Sequence, residues 1–186
     1  MAKIFIFRHG ETFDNQSHTF SGFRQTELTE KGIEEAKGIG EKLNSEKVTK
    51  AYQSDLIRSA HTLSLVLGDW HKGVEILTDS RIKERDYGDL TGKNKDEVKK
   101  ETPDLYELWH RSYDVPPPGG ESLKMVEERV LEFLNDVLPT FKENDIVFIS
   151  AHGNSLRPMR RHFEGLTIEE MCSFEHTPGK IYSYEI

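Results

Sequence analysis

Two short blocks hold the side chains best suited to chemistry: Arg8-His9-Gly10-Glu11-Thr12 near the N-terminus and Ala151-His152-Gly153-Asn154-Ser155 near the C-terminus. Each ends a short apolar run, Lys3 to Phe7 and Asp145 to Ser150, rich in the β-branched and aromatic residues of buried strands. Parallel sheets bind ligands at the carboxyl ends of their strands, so the two histidines are expected to converge there. Gly10 and Gly153 remove side chains where the backbone must turn sharply. Asn154-Ser155 opens a helix whose free amides can receive an anion. Arg8, and Arg58 within Ser54-Asp-Leu-Ile-Arg58-Ser59-Ala60-His61-Thr62, add forked donors that match phosphoryl oxygens. Together these residue types point to phosphate bound beside an imidazole. The plainer alternatives are two unrelated core histidines and a helix-surface arginine.

Strands and helices must alternate to bring these blocks together. Thr29 caps a helix with Ile33, Ala36, Ile39, Gly40 and Leu43 on one face, and Val48 to Gln53 reads as a returning strand. A helix through Ala60, Leu63 and Leu67 follows, then a strand at Val74 to Leu77. Ser122 caps the clearest helix, with Leu123, Val126, Val130, Leu134, Val137 and Leu138 at helical spacing, and Ile181 to Ile186 closes the sheet. The order predicts an α/β fold, a mainly parallel sheet covered by helices on both faces in three layers. Residues 1–186 read as one catalytic domain. Within it, 84–120 fits the alternation poorly, with short amphipathic pieces around Val98 and Leu108 and the stiff Pro116-Pro-Pro-Gly-Gly120 loop. That stretch is expected to lie over the carboxyl edge as a substrate-covering insertion.

Composition narrows the function further. The 186 residues carry 25 Lys+Arg against 33 Asp+Glu, a net charge of -8 that argues against a nucleic-acid surface. The cluster Arg157, Arg160, Arg161 and His162 reads as a solvated helix face. No apolar run approaches the roughly 20 residues of a membrane span. No signal-peptide pattern precedes the first strand, which makes a cytoplasmic protein the expectation. Cys172 stands alone and reads as a small apolar helix residue. His18, His61, His71, His162 and His176 read as ordinary. No His or Cys spacing matches a metal site, so no metal is expected.

The same blocks, joined by Glu84-Arg85-Asp86-Tyr87-Gly88, resemble the histidine phosphatase superfamily and, within it, the cofactor-dependent phosphoglycerate mutases. The resemblance spans nearly the whole chain. It implies that His9 attacks a phosphoryl group and carries it as phosphohistidine, while Arg8, Arg58 and His152 hold the equatorial oxygens. It implies that Glu84 is the general acid and base, a role that its position in a loop would not suggest by itself. Facing bound phosphate, Glu84 is expected to have its pKa raised by like charge and partial burial. Asn15, Ser21 and Gly22, with Tyr87, Lys95, His110, Arg111, Gly153 and Asn154, sit where the family contacts phosphate and substrate carboxylate. The resemblance further implies 2,3-bisphosphoglycerate as the donor that primes His9, a small phosphorylated metabolite as substrate, and a monomer or homodimer. Nucleic acid, membrane and metal have no place in that reading.

Three departures bear on the pocket. Thr19 stands where mutases usually have arginine. His110 replaces the first of an arginine pair, a lost charge that protonation would restore. Thr177-Pro178-Gly179 replaces the usual Pro-Thr-Gly in the tail that closes over the site. The chain is also short after Gly119-Gly-Glu-Ser122, as in the phosphatase branch. A phosphatase for small metabolites is therefore the alternative function, and a noncatalytic phospholigand sensor a remote one.

Overall fold

The computed structural model describes residues 1–186. Strands β1 (Lys3–Arg8), β2 (Lys50–Gln53), β3 (Glu75–Thr78), β4 (Ile146–Ala151) and β5 (Ile181–Glu185) form one sheet in the order β3-β2-β4-β1-β5. The pairs β3–β2, β2–β4 and β4–β1 are parallel, and β5 runs antiparallel to β1 at the edge. The expected mainly parallel sheet is therefore present. The helices are α1 (Phe13–Gln16), α2 (Glu30–Leu43), α3 (Ile57–Leu67), α4 (Lys95–Glu101), α5 (Pro103–Arg111), α6 (Leu123–Val137), α7 (Gly153–Glu164) and α8 (Ile168–Ser173).

Alternation within the central strands produces the three layers. Ile4 and Ile6 of β1 pack with Val126, Val130, Phe133 and Leu134 of α6 and with Leu156 and Met159 of α7. Phe5 and Phe7 point the other way, onto Ile39 and Leu43 of α2 and Leu63 and Val66 of α3. Phe148 of β4 meets Phe5 edge-on at 5.6 Å. Each such fully buried side chain contributes about 1.5–3 kcal/mol, which makes register strongly specified. Helix starts are fixed locally: Thr29 Oγ1 accepts the Gly32 amide at 3.1 Å and Ser122 Oγ accepts the Met125 amide at 3.2 Å.

Three sequence expectations change. Both site strands run one residue further than their apolar runs, so Arg8 pairs in register with Ala151 and each histidine immediately follows its strand. Leu108 is 47% exposed; Val98 and Tyr106 instead join Phe20, Tyr87 and Leu90 in a small separate core. Two positions apart on α5, Tyr106 and Leu108 fall on different faces, and only one can turn inward. The arginine cluster on α7 is not a solvated face. Arg157 is buried, and its Nη1 donates to the carbonyls of Met171 and Cys172 at 2.8 and 3.0 Å, tying α7 to the end of α8. Arg160 pairs with Glu164, Arg161 with the buried Glu127, and only His162 is open to solvent. Cys172 is buried beside Leu123 and Met171, as expected of a small apolar residue.

One close approach fixes the turn after β1. A Cβ on Gly10 would collide with the Gly32 carbonyl, and one on Gly32 with the carbonyl of Glu11. Both obstacles are backbone, so no rotamer change relieves them. Gly32→Ala is expected to destabilise the protein by about 2 kcal/mol despite alanine's better helix propensity. In a chain of this size that lowers the thermal midpoint by about 4–8 °C. A calorimetric midpoint at or above wild type would contradict the close approach.

Candidate active site

The parallel pairing of β1 and β4 delivers His9 and His152 side by side, their ring centroids 4.9 Å apart. The His9 amide donates to Ala151 O at 3.0 Å, extending the ladder to the histidine itself. His9 Nδ1 lies 2.8 Å from Gly10 O. A carbonyl oxygen only accepts, so Nδ1 carries the hydrogen and Nε2 holds the free lone pair of the neutral ring. Burial, then the positive Arg58 and Arg8, push the His9 pKa well below its ordinary value, which keeps that lone pair available. His152 Nε2 is 2.7 Å from Ser54 Oγ, a hydroxyl that accepts the Leu56 amide at 3.2 Å and has its own hydrogen to give to Nε2. The His152 pKa is likewise pushed well down, by burial first and then by Arg58. Its Nδ1 is buried and unpartnered.

Glu84 reaches this pair from the loop before α4. Its Oε1 accepts the amides of Arg85 and Asn154 at 2.8 and 3.1 Å. Burial pushes its pKa up, but the Arg85 amide, Arg58, Arg8 and the Asn154 amide outweigh it, and the carboxyl sits below its ordinary value. In the ligand-free protein Glu84 is thus an ionised carboxylate. The raised pKa expected opposite bound phosphate does not pre-exist, because Arg58 and Arg8 act on Glu84. Arg58 is almost completely buried, with Nη1 donating to Arg24 O and Nη2 to Gly22 O, both at 2.8 Å. Gly22 adopts φ +50°, a left-handed conformation that glycine takes without a side-chain penalty. The Nε atoms of Arg8, Arg58 and Arg157 are all buried without a partner.

A cavity opens beside this cluster. Of the residues expected at the site, Arg8, Asn15, Ser21, Glu84, Tyr87, Lys95, His110, Arg111, Gly153 and Asn154 line it. His9 lines a smaller adjoining cavity with Arg8 and Asn15, while Gly22, Arg58 and His152 lie behind the walls. Tyr87 Oη accepts from Asn154 Nδ2 at 3.0 Å, linking the 84–120 stretch to the start of α7. Four cationic side chains, Arg8, Lys95, Arg111 and Arg157, face two carboxylates, Glu84 and Glu175. The cavity suits an anion.

His110 does not restore the arginine charge. Burial, then Arg111 and Lys95, push its pKa down to about 3. His18 and His176, which read as ordinary in the sequence, and Arg157, which read as solvated, line the cavity as well, together with Glu175. Arg157 had a signal, since it lies one helical turn after Gly153 and faces the same way. His176 and Glu175 had none; they arrive on the tail after α8. The tail does cover the site: Glu175 and His176 line the main cavity and Pro178 and Gly179 the smaller one. The His176 pKa is pushed down to about 2 by burial, Arg8 and Arg157.

His9, Glu84 and His152 each place a ligand atom within 4.8 Å of the others. Two neutral imidazoles and a carboxylate form a donor set that zinc accepts, which the spacing along the chain does not show. Arg58 and Arg8, acting on all three, oppose a cation there.

Residues 4–186 match the family model described as histidine phosphatase superfamily (branch 1). A protein of Nitrobacter winogradskyi named 2,3-bisphosphoglycerate-dependent phosphoglycerate mutase is 41% identical, over 98% of this chain and 91% of its own. Its namesake from Parvibaculum lavamentivorans is 38% identical over 98% and 90%. Among solved structures, Bacillus stearothermophilus YhfR superposes with a TM-score of 0.90 at 26% identity, covering 100% of this chain and 92% of its own. The α-ribazole phosphatase of Shigella flexneri gives 0.87 at 25% identity, over 99% and 90%.

The buried imidazoles predict a pH dependence. His9, His152, His110 and His176 stay neutral in the folded protein at pH values where the unfolded chain would protonate them. Their stabilisation is complete above the ordinary histidine pKa of about 6.5 and is lost as pH falls below it, at about 1.4 kcal/mol per pH unit for each group. The urea midpoint is expected to fall steadily from about pH 7 to about pH 5, with protons taken up on unfolding. A flat midpoint over that range would mean that these rings charge freely in the folded state.

Proposed function

The chain belongs to the histidine phosphatase superfamily, and on that premise we propose that it transfers phosphoryl groups through a phosphohistidine on His9, in the 2,3-bisphosphoglycerate-dependent interconversion of 3- and 2-phosphoglycerate. The observation that carries this reading is the orientation of His9: Nδ1–H is committed to Gly10 O, leaving Nε2 as nucleophile beside a cavity with four cationic side chains. Lys95 and Arg111, additional to the Arg8 and Arg58 that act on His9, suit a substrate that carries a carboxylate besides its phosphate.

In this reading the His9 Nε2 lone pair forms the N–P bond as the ester P–O bond breaks. Arg8 and Arg58 offer positive charge to the equatorial oxygens, and the neutral His152, with Nε2 accepting the Ser54 hydroxyl hydrogen, donates from its unpartnered Nδ1. Glu84 gives a proton to the departing oxygen and, in the return step, takes one from the acceptor hydroxyl as the N–P bond breaks. A bound phosphoryl dianion draws the fields of Arg58 and Arg8 away from Glu84 and adds a like charge, which raises the carboxyl toward working pH. Asn15, Ser21, Tyr87, Gly153 and Asn154 orient the phosphoryl end, Gly22 holds Arg58, and Lys95 and Arg111 receive the carboxylate with His110 neutral beside them. The 84–120 stretch then acts as a substrate cover.

The bisphosphorylated cofactor fits this chain by charge, because Arg8, Lys95, Arg111 and Arg157 surround one cavity and the Nε atoms of Arg8 and Arg157 lack partners. When bound, it supplies the phosphoryl group that loads His9. No helix is long and apolar enough to cross a membrane. The reading carries with it a cytoplasmic enzyme for a small metabolite, acting as a monomer or homodimer.

Hydrolysis is the second reading. Arg111 donates to Glu175 at 2.5 Å and His110 is uncharged, so the carboxylate end is weaker than its residue types suggest. Water would then accept the phosphoryl group from His9.

Phosphorus NMR separates the two. With 3-phosphoglycerate and catalytic 2,3-bisphosphoglycerate, 2-phosphoglycerate is expected with little free phosphate; free phosphate alone would make the protein a phosphatase. His9→Ala is expected to lower turnover by about 10³-fold or more and to abolish the phosphohistidine signal. Turnover near wild type would end the covalent mechanism.

A further inference from the structure

The tail after α8 brings a carboxylate of the protein's own into the cavity. Glu175 Oε1 accepts from Arg111 Nη2 at 2.5 Å, and both residues line the pocket. Glu175 is in place because its segment is fastened on both sides. Arg157 holds the carbonyls of Met171 and Cys172 just before it. Arg160 lies 4.0 Å above the Phe174 ring, a cation–π contact that seats the adjacent residue. His176 packs edge-on against Phe174 at 4.8 Å and reaches Gly153, where an added Cβ would stand 3.2 Å from its Nε2. The bare glycine makes room for the tail.

We propose that Glu175 is a specificity-determining residue: it occupies Arg111 as an internal carboxylate, which a carboxylate-bearing substrate must displace and a simple phosphoester need not. The inference rests on the reading of Arg111 as the carboxylate receiver. The Glu175 side chain is 77% exposed and that of Arg111 30% exposed, so the pair is solvent-screened and readily exchanged. Displacement is an exchange of one carboxylate for another on the same guanidinium, with the released Glu175 turning into water. The cost falls only on ligands that need Arg111. With Arg111 occupied, Lys95 alone is left to receive a carboxylate, since His110 beside Arg111 is neutral. A phosphoester without a carboxylate binds with the pair intact, and the pocket discriminates less between the two classes than its arginines alone would allow.

Two phosphonates that cannot transfer their phosphorus test this by calorimetric titration: 3-phosphonopropanoate, which has a carboxylate, and propylphosphonate, which has none. Glu175→Gln is expected to tighten 3-phosphonopropanoate about three-fold and to leave propylphosphonate unchanged, the size appropriate to an exposed ion pair. In an Arg111→Ala background the gain should vanish. Equal changes for both ligands, no change for 3-phosphonopropanoate, or a gain that persists without Arg111 would each overturn the proposal. The phosphoglycerate reading is scored separately by wild type. If wild type prefers the carboxylate ligand, Arg111→Ala erases that preference and Glu175→Gln does nothing, the reading stands and the inference falls. If wild type shows no preference and Glu175→Gln creates one, the inference stands and the phosphoglycerate reading falls.

Discussion

The parallel pairing of β1 with β4 is the constraint on which the site depends. Their register ends at Arg8 opposite Ala151, and the His9 amide adds one more rung, so both histidines leave the sheet at the same height. The register cannot drift. Ile4 and Ile6 belong to one core and Phe5 and Phe7 to the other, and a one-residue slip would exchange the two faces and send His9 away from His152. Gly10 and Gly32 then let α2 cross the turn closely enough to enclose His9.

Enclosure sets the electrostatics. A buried imidazole next to two guanidiniums is most stable neutral, and the neutral ring with its hydrogen on Nδ1 is the nucleophilic form. Arg58 keeps its place in the interior because two backbone carbonyls, those of Gly22 and Arg24, accept from it. Glu84 stays ionised in the same interior because two amides share one of its oxygens. The unliganded site is thus an arrangement of fixed dipoles and charges, with donors still unpartnered at Arg8, Arg58 and His152. Free donors held in place without a ligand are the form of preorganisation that phosphoryl transfer exploits.

The outer lining of the pocket comes from other parts of the chain. The sheet supplies the histidines, whereas α4, α5 and the tail after α8 supply Lys95, Arg111, Glu175 and His176. Helices α4 and α5 pack on the small Phe20–Tyr87–Tyr106 core, while the tail is held by Arg157 and by Phe174 against the main core. Chains of this fold bear both mutase and phosphatase names among the relatives of this one.

By itself the sequence determined the layered sheet, its mainly parallel direction, the caps at Thr29 and Ser122, and the convergence of His9 with His152, because each follows from local periodicity and from strands ending in a histidine and a glycine. It also carried most of the cavity lining through its family blocks. The tertiary structure decided what those residues become. Proton positions and charges at His9, Glu84 and His110 depend on burial and on cations from distant elements. Arg157 turned inward because α8 offers it carbonyls, and Glu175 and His176 entered the pocket because Arg157 and Arg160 fasten the tail. Pattern along a chain reports which face of an element is buried; it holds no record of which distant charge lies across the pocket, and the pocket's chemistry is made of those charges.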